Sequence, residues 1–419
     1  MDSRPHDRLD ELQSDPYPHY ARARDAEGLT FVPELDAWLV ARDTDVREVL
    51  RRAEDFSSEG ALRPDVMPAP AALAVLGGGF GGRPVVVGVD GTRHQELRAP
   101  IVKGLSPARV AAVVPYAAER AAALVDAFVD GDPGERKGGH VELMSAYARR
   151  LPGEVIGRIV GLDPADVPAV VRGGYRAEEL LFRPLPEDEQ IAVAQDVVAT
   201  QHILDRYARD RHAEPREDLC TDIVASVTAP GDGDGGGGDE LTLDQRHEVV
   251  SHLQNLLIAG HLTTTALIGT TVLHLLRHPD QWELLCAEPD RIPAAVEEAA
   301  RYDTALQGFR RVATRPVTLA GTELPAGASL FVAFGAANRD GDRHPGPDRF
   351  DITRTPVRHL AFGLGAHGCP GSQLAREQLR LTLQELTSRL PGLRLAEDHA
   401  VTMRPTMIHR SPRSLHLTW

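Results

Sequence analysis

Of three cysteines in 419 residues, Cys369 sits where a thiol can do chemistry. It lies in HLAFGLGAHGCPGSQLAR, residues 359–376, in a glycine-rich loop just ahead of a helix expected to start near Gly371 or Ser372. A helix N-terminus carries partial positive charge and free N–H groups. These lower a thiol's pKa and donate hydrogen bonds to its sulfur. Gly363, Gly365, Gly368 and Gly371 remove Cβ atoms, so the backbone can approach a flat ligand closely. A thiolate held in this way is a good axial ligand to iron in such a group. For the cysteine alone, the alternative is an inert buried thiol behind a glycine turn.

Three further groups have informative spacing. Ala259-Gly260-His261-Leu262-Thr263-Thr264 lies within a long helical pattern. There Thr263 can bond back to the carbonyl of Ala259, four residues earlier, and open the helix locally. Glu298 and Arg301 share a helix face and can form a charge pair. His94 and Arg98, in RHQELR, are likewise stacked on one face.

These groups need elements to position them. Residues 28–50 alternate like a pair of strands and then turn helical near Asp43. Residues 60–90, rich in Gly, Pro and Ala, read as a long irregular loop. The pattern from 92 to 228 is mostly helical, including 110–130 despite Pro115, and PGDGDGGGGD at 230–239 reads as a flexible linker. The longest helical pattern runs from Leu241 to about Arg277, with Thr242 or Asp244 as its cap. A helix of that length should be central. A helix over 291–302, strands over 311–336, a last helix over 372–390 and closing strands complete a helix-dominated chain with small sheets.

Composition removes several classes. Lys plus Arg is 46 against 61 Asp plus Glu, a net charge of −15, which argues against general nucleic-acid binding. Cysteines this few and scattered argue against a disulfide framework and for a reducing compartment, hence the cytoplasm. The polar start MDSRPHDRLDELQSDPYPHY shows no signal peptide, and no apolar run is expected to reach the roughly 18 residues that span a bilayer. GGGFGG at 77–82 matches a dinucleotide fingerprint in letters but lacks the strand before it and the helix after it. Asp232-Gly-Asp234 lacks the remaining ligands of a calcium loop. His247 and His252, beside Glu248, are five apart and do not share a face for zinc.

The cysteine loop resembles the haem-binding loop of the cytochrome P450 family, F-G-x-G-x-H-x-C-x-G, at Phe362, Gly363, Gly365, His367, Cys369 and Gly371. Glu298 to Arg301 resembles the family's E-x-x-R motif, with Asn338-Arg339-Asp340 and Phe350 to Arg354 resembling the segment that completes its network. Residues 259–264 resemble the oxygen-activating segment A-G-x-(Asp/Glu)-T-T. The likeness runs from DPYPHYARAR near residue 15 to the final strands. It implies a mainly α fold with small β-sheets, 1–419 as a single P450 domain, and haem b between the long central helix and the cysteine loop. It makes Cys369 the iron ligand and places Thr263, Gly260 and Ala259 at the oxygen site. His94, Arg98, Arg311, His359, Phe362, Gly363, His367 and Gly371 contact the haem, the first four at its propionates. Leu256, Leu306, Gln307, Phe309 and Met407 line a substrate pocket. Two positions depart from the pattern: Leu262 stands where an acid is usual, and Ala305 where proline is common.

The implied activity is insertion of one oxygen atom from O2 into a small organic molecule, a bacterial natural-product intermediate, free or tethered to a carrier protein. The implied protein is a monomer without membrane attachment. Electrons come from a ferredoxin or flavodoxin and its NAD(P)H-dependent reductase, because the chain carries no flavin or iron–sulfur domain. The alternatives are a non-hydroxylating haem-thiolate enzyme (oxidative coupling, nitration or peroxide use) and a non-catalytic haem sensor.

Overall fold

The computed structural model describes residues 11–64, 67–129, 139–229 and 240–419. The 230–239 linker and Asp232-Gly-Asp234 lie outside the described residues. The chain divides into two compact units, one of 1–60, 114–152 and 263–419, the other of 61–113 and 153–262.

The first unit holds a five-stranded sheet in the order β1 (Thr30–Val32), β2 (Ala37–Val40), β8 (Ser329–Ala333), β5 (Gly308–Ala313), β3 (Phe56–Ser57). Only the β2–β8 pair is parallel. Strands near the ends of the sequence thus meet side by side. Val40, Val46, Val49, Leu50, Phe56, Leu330, Val332 and Leu360 form its core, and Leu364 packs against it. The cysteine loop is therefore anchored to the sheet through Leu360 and Leu364. The hairpin β6 (Val317–Leu319) and β7 (Thr322–Leu324) turns on Ala320-Gly321, both at positive φ, the backbone of a two-residue hairpin turn. A third sheet joins β4 (His140–Glu142), β10 (His416–Thr418) and β9 (Arg394–Leu395).

Helices carry the rest. Those used below are α1 (Gly91–Gly104), α2 (Val167–Phe182), α3 (Glu187–Ala213), α4 (Leu243–Arg277), α5 (Ile292–Tyr302) and α6 (Ser372–Arg389). α4 has 35 residues, roughly 52 Å at the α-helical rise. Thr242 caps it: Gln245 N donates to Thr242 Oγ1 at 3.3 Å and Thr242 N donates to Gln245 Oε1 at 2.9 Å, a reciprocal capping box. One expectation is corrected here. α4 contains an 18-residue stretch long and apolar enough to cross a membrane, but 78% of it is buried, so its apolarity is that of a core helix.

A second correction concerns 60–90. Pro70–Leu76 is helical and Val86–Gly88 forms a single 3-10 turn. PAALAVL has proline at the start followed by strong helix formers, and two turns are too short to show a period. Phe80, inside GGGFGG, lies under the Arg246 guanidinium at 4.4 Å, and Gly81 N donates to His247 Nδ1 at 3.1 Å. A Cβ on Gly81 would come within 2.6 Å of Gln201 Nε2. Gly79 and Gly81 thus serve close packing against α3.

α2 and α3 pack through another glycine, since a Cβ on Gly173 would overlap the Thr200 side chain. Gly173→Ala should therefore cost about 1–3 kcal/mol by overpacking. Thermal unfolding checks it; a variant as stable as the parent would show that the two helices can separate freely.

Candidate active site

The cysteine loop is built from a few hydrogen bonds and two left-handed glycines. Leu360 N donates to Asn338 Oδ1 at 2.6 Å, Gly363 N to Leu360 O at 2.9 Å and Cys369 N to Phe362 O at 2.8 Å. Gly365 has φ +72°, and a Cβ there would lie 2.6 Å from the Leu50 carbonyl oxygen. Both its conformation and its proximity require glycine. His367 Nε2 lies 3.0 Å from Ser58 Oγ, which ties the loop to the segment after β3. α6 begins just beyond, with Gly371 as its cap.

The three thiols now separate. Burial pushes Cys220 up to about 12 and raises Cys286. Cys369 alone is exposed. Cys369 is therefore not the buried thiol of the alternative reading.

Behind the loop lies a buried charge pair. Arg301, 2% exposed, donates Nε and Nη2 to the two Glu298 oxygens, each at 2.8 Å. Its remaining N–H groups reach the carbonyls of Asn338 (2.9 Å), Pro347 (2.8 Å) and Arg349 (3.2 Å). All donors of the guanidinium are thereby used. Asp351 N and Arg354 Nε complete the carboxylate's partners. Asn338 passes this order on, because its Oδ1 holds Leu360 and its Nδ2 donates to Thr304 Oγ1 at 2.8 Å.

His359 stands beside the same framework. Its Nε2 lies 3.1 Å from Glu297 Oε2 and its Nδ1 accepts from Ala361 N at 3.2 Å, so both ring nitrogens have protein partners. Arg376 joins Glu297 at 2.5 and 3.0 Å while its guanidinium covers the Phe362 ring at 4.2 Å. Burial pushes the Glu297 carboxyl up, but the His359 and Arg376 contacts outweigh it and hold it down at about 2.

On α4 the helix runs unbroken through 259–264, so the local opening expected at Thr263 is not a break in the helix. Ala259 is exposed and Gly260 and Thr263 half-exposed, whereas Leu262 is 4% exposed. His261 is fully buried, its Nδ1 2.6 Å from Leu257 O, with Tyr175 edge-on at 5.3 Å. A carbonyl only accepts, so the ring proton sits on Nδ1. A Cβ on Gly174 would lie 2.6 Å from His261 Cε1, so this histidine needs a glycine opposite.

On α1, His94 is buried, and burial together with the Arg98 charge lowers its pKa, favouring the neutral ring. Arg311, on β5, is 4% exposed. Leu306 bridges to His409, and Gln307 N donates to Ile408 O at 2.8 Å, which brings 306–309 and 406–408 together. Phe309 is half-buried and Met407 and Leu256 are buried. Gln307 is buried; its Nε2 donates to Thr304 O at 2.6 Å, and its Oε1 has no hydrogen-bond partner. Ala305 is buried and bonded through its carbonyl to Arg410 N.

Sequence reasoning missed one hub. Asp303 accepts from Tyr17 Oη at 2.8 Å and Arg410 Nε at 2.8 Å, and lies 2.7 Å from His274 Nε2. Its partners are too far apart in sequence to leave any local signal.

An exposed thiol at a helix start, a glycine-rich loop and a buried Glu–Arg pair are the features on which the likeness to cytochromes P450 rests. A family model for cytochrome P450 matches residues 292–391. The chain belongs to the cytochrome P450 family and is a bacterial-type P450 monooxygenase with a mainly α fold. It is 33% identical over 399 residues to cytochrome P450 107B1 of Saccharopolyspora erythraea, spanning 92% of this chain and 90% of the relative. It is 32% identical over 390 residues to mycinamicin IV hydroxylase/epoxidase of Micromonospora griseorubida, again 92% and 90%. Among solved structures, cytochrome P450 CREJ in complex with (4-ethylphenyl) dihydrogen phosphate matches with a TM-score of 0.87 at 31% identity over 97% of each chain. The haem iron that the family implies fits the donor present: a soft thiol stands exposed in a loop with glycines at positive φ.

Arg301→Ala strands Glu298 without its counter-ion. It should lower stability by about 3–5 kcal/mol, read by denaturant unfolding, and Arg301→Lys should not restore it, since lysine lacks the planar fork. An Arg301→Ala chain of parental stability would remove the pair from the framework.

Glu297 gives a pH signature. Its folded pKa of about 2 lies below the ordinary 4.5, so its stabilisation is complete above 4.5 and is lost as pH falls from there toward 2. The difference in melting temperature between parent and Glu297→Gln should be constant above that window and close within it. A difference independent of pH down to 2 would contradict the assignment.

Proposed function

We propose that the chain binds haem b, with Cys369 as its sole protein ligand to iron and His94, Arg98, Arg311 and His359 as partners of the propionates, in one P450 domain. The observation that carries this reading is Cys369, the one exposed thiol, seated at the start of α6 in a loop hung from Asn338 and Arg301. The reaction proposed is R–H + O2 + 2 e⁻ + 2 H⁺ → R–OH + H2O, or the corresponding epoxidation, on a natural-product intermediate in the cytoplasm. The mycinamicin hydroxylase/epoxidase likeness supports that substrate class. Electrons arrive from a ferredoxin or flavodoxin and its NAD(P)H-dependent reductase.

The haem, when bound, supplies the redox chemistry of O2. The chain supplies position and protons. Cys369 presents a thiolate favoured by the helix N-terminus. Arg98 and Arg311 offer cationic donors suited to carboxylates. Thr263 offers a hydroxyl on the half-exposed face of α4. Leu262 offers nothing there: it is apolar, and it is buried. Protons therefore reach Thr263 from the substrate's own hydroxyl or carboxyl groups or from water along the Ala259–Gly260 face.

The same Leu262 favours a second reading, a haem-thiolate reaction that needs fewer protons, such as oxidative coupling. Incubation under ¹⁸O2 separates them: label in the product supports oxygen insertion, and its absence supports coupling.

Cys369→Ala should abolish the red-shifted carbon monoxide band of a thiolate-ligated haem; retention of that band and of activity would overturn the assignment. Proton transfer by a positioned group is typically worth about 10²–10⁴ in rate. With the native substrate, Thr263→Ala should therefore lower product formed per NAD(P)H, while Leu262→Glu should leave it no higher than the parent. A several-fold rise in Leu262→Glu would show that the missing acid is a simple defect.

A further inference from the structure

Far from Cys369 in sequence, three histidines converge on the outer face of the β4–β10–β9 sheet. In the antiparallel β4–β10 ladder, His140 pairs with Thr418 and His416 with Glu142. His140 and His416 are therefore diagonal neighbours on one face, opposite the buried Val141 and Leu417. His140 Nε2 lies 3.3 Å from His416 Nδ1. His399, from the turn after β9, stacks on His416 with ring centroids 3.9 Å apart and planes at 21°. One nitrogen from each ring lies within 4.8 Å of the other two.

We propose that His140, His399 and His416 form a binding site for a divalent transition-metal ion of the Zn2+ type, separate from the haem. Two imidazole nitrogens on a tetrahedral zinc with Zn–N near 2.0–2.1 Å stand about 3.3 Å apart. The His140–His416 pair already has that spacing. The His399 nitrogen needs to close in by a side-chain rotation only, which its exposure makes cheap. The donor set selects the metal: neutral imidazole suits Zn2+, Cu2+ and Ni2+, whereas Ca2+ and Mg2+ take oxygen ligands.

A second observation points the same way. Asp398 Oδ1 lies 2.8 Å from His399 Nδ1. A carboxylate accepting from Nδ1 fixes the tautomer and leaves Nε2 as the lone-pair donor, the carboxylate–histidine–metal arrangement of many zinc sites. A metal here clips three short pieces together. β10 spans three residues at the C-terminus, β4 three and β9 two. Strands this short gain most from a crosslink, and an ion that binds the folded chain stabilises it by mass action.

The test uses the full, haem-loaded protein after treatment with chelator and gel filtration. Titration with ZnSO4 in the low micromolar range, followed by removal of free metal, should leave about one zinc per chain beside the haem iron. The melting temperature should rise by a few degrees with Zn2+ and not with CaCl2, and the haem spectrum should not change. His399→Ala and His416→Ala, both substitutions at the sheet surface, should each lose the stoichiometric zinc. Asp398→Asn should weaken binding about ten- to a hundredfold. With 17 histidines in the chain, the decisive control is the triple variant His140→Ala, His399→Ala, His416→Ala. Equal zinc uptake and equal thermal shift in that variant, or no uptake by the parent, overturns the site.

Discussion

A guanidinium taken out of water must have every donor met, and Arg301 shows how much of a fold can be organised by that demand. Its partners come from α5 itself and from three separate carbonyls between 338 and 349. No one segment could satisfy it, so burying Arg301 fixes irregular chain that has no sheet or helix of its own. Such chain is otherwise the hardest to hold, because its backbone polar groups lack regular partners. The order then passes outward by single atoms: Asn338 gives its backbone oxygen to Arg301 and its side-chain oxygen to Leu360. Leu360 is also a core residue of the five-stranded sheet. The cysteine loop thus hangs between a polar anchor and an apolar one.

That double attachment lets the loop itself be made of glycine. Four glycines between 363 and 371 would leave a free segment with large conformational entropy. Here Leu364 is packed, Gly365 is wedged against the Leu50 carbonyl, and His367 meets Ser58. Arg376 closes the other side over Phe362 while paired with Glu297. As the proposed iron ligand, Cys369 would be held in place by this rigidity.

What was legible in the sequence was local. The thiol loop, the i to i+3 pair on α5 and the length and cap of α4 are all written in neighbouring residues, and each is where the spacing put it. What was not legible depends on contacts between distant segments. Asp303 draws on Tyr17, His274 and Arg410. His359 meets Glu297, far away in sequence. The Pro70–Leu76 helix escaped because two turns hold too few residues for a period to show. The His140–His399–His416 cluster exists only once strand register is known, since no spacing along the chain hints at it.

The arrangement around Thr263 shows why Leu262 is more than the absence of an acid. Successive helical residues point about 100° apart, so if 259 and 263 share the open face, 261 lies opposite it and 262 at its edge, where both can turn inward. Both do, and both are committed: Leu262 to the core, His261 to a bond with Leu257 and a berth against Gly174 and Tyr175. A carboxylate in place of Leu262 would enter an apolar environment and cost several kcal/mol unless paired. Restoring the acid therefore demands more than one change, because a partner must appear inside the core at the same time. His261 is no simple substitute either, since its proton is held on Nδ1 by a backbone carbonyl within its own helix and only Nε2 remains as a base. The packing leaves a single hydroxyl on the working face of α4, and whatever completes a proton path to it must come from outside the helix.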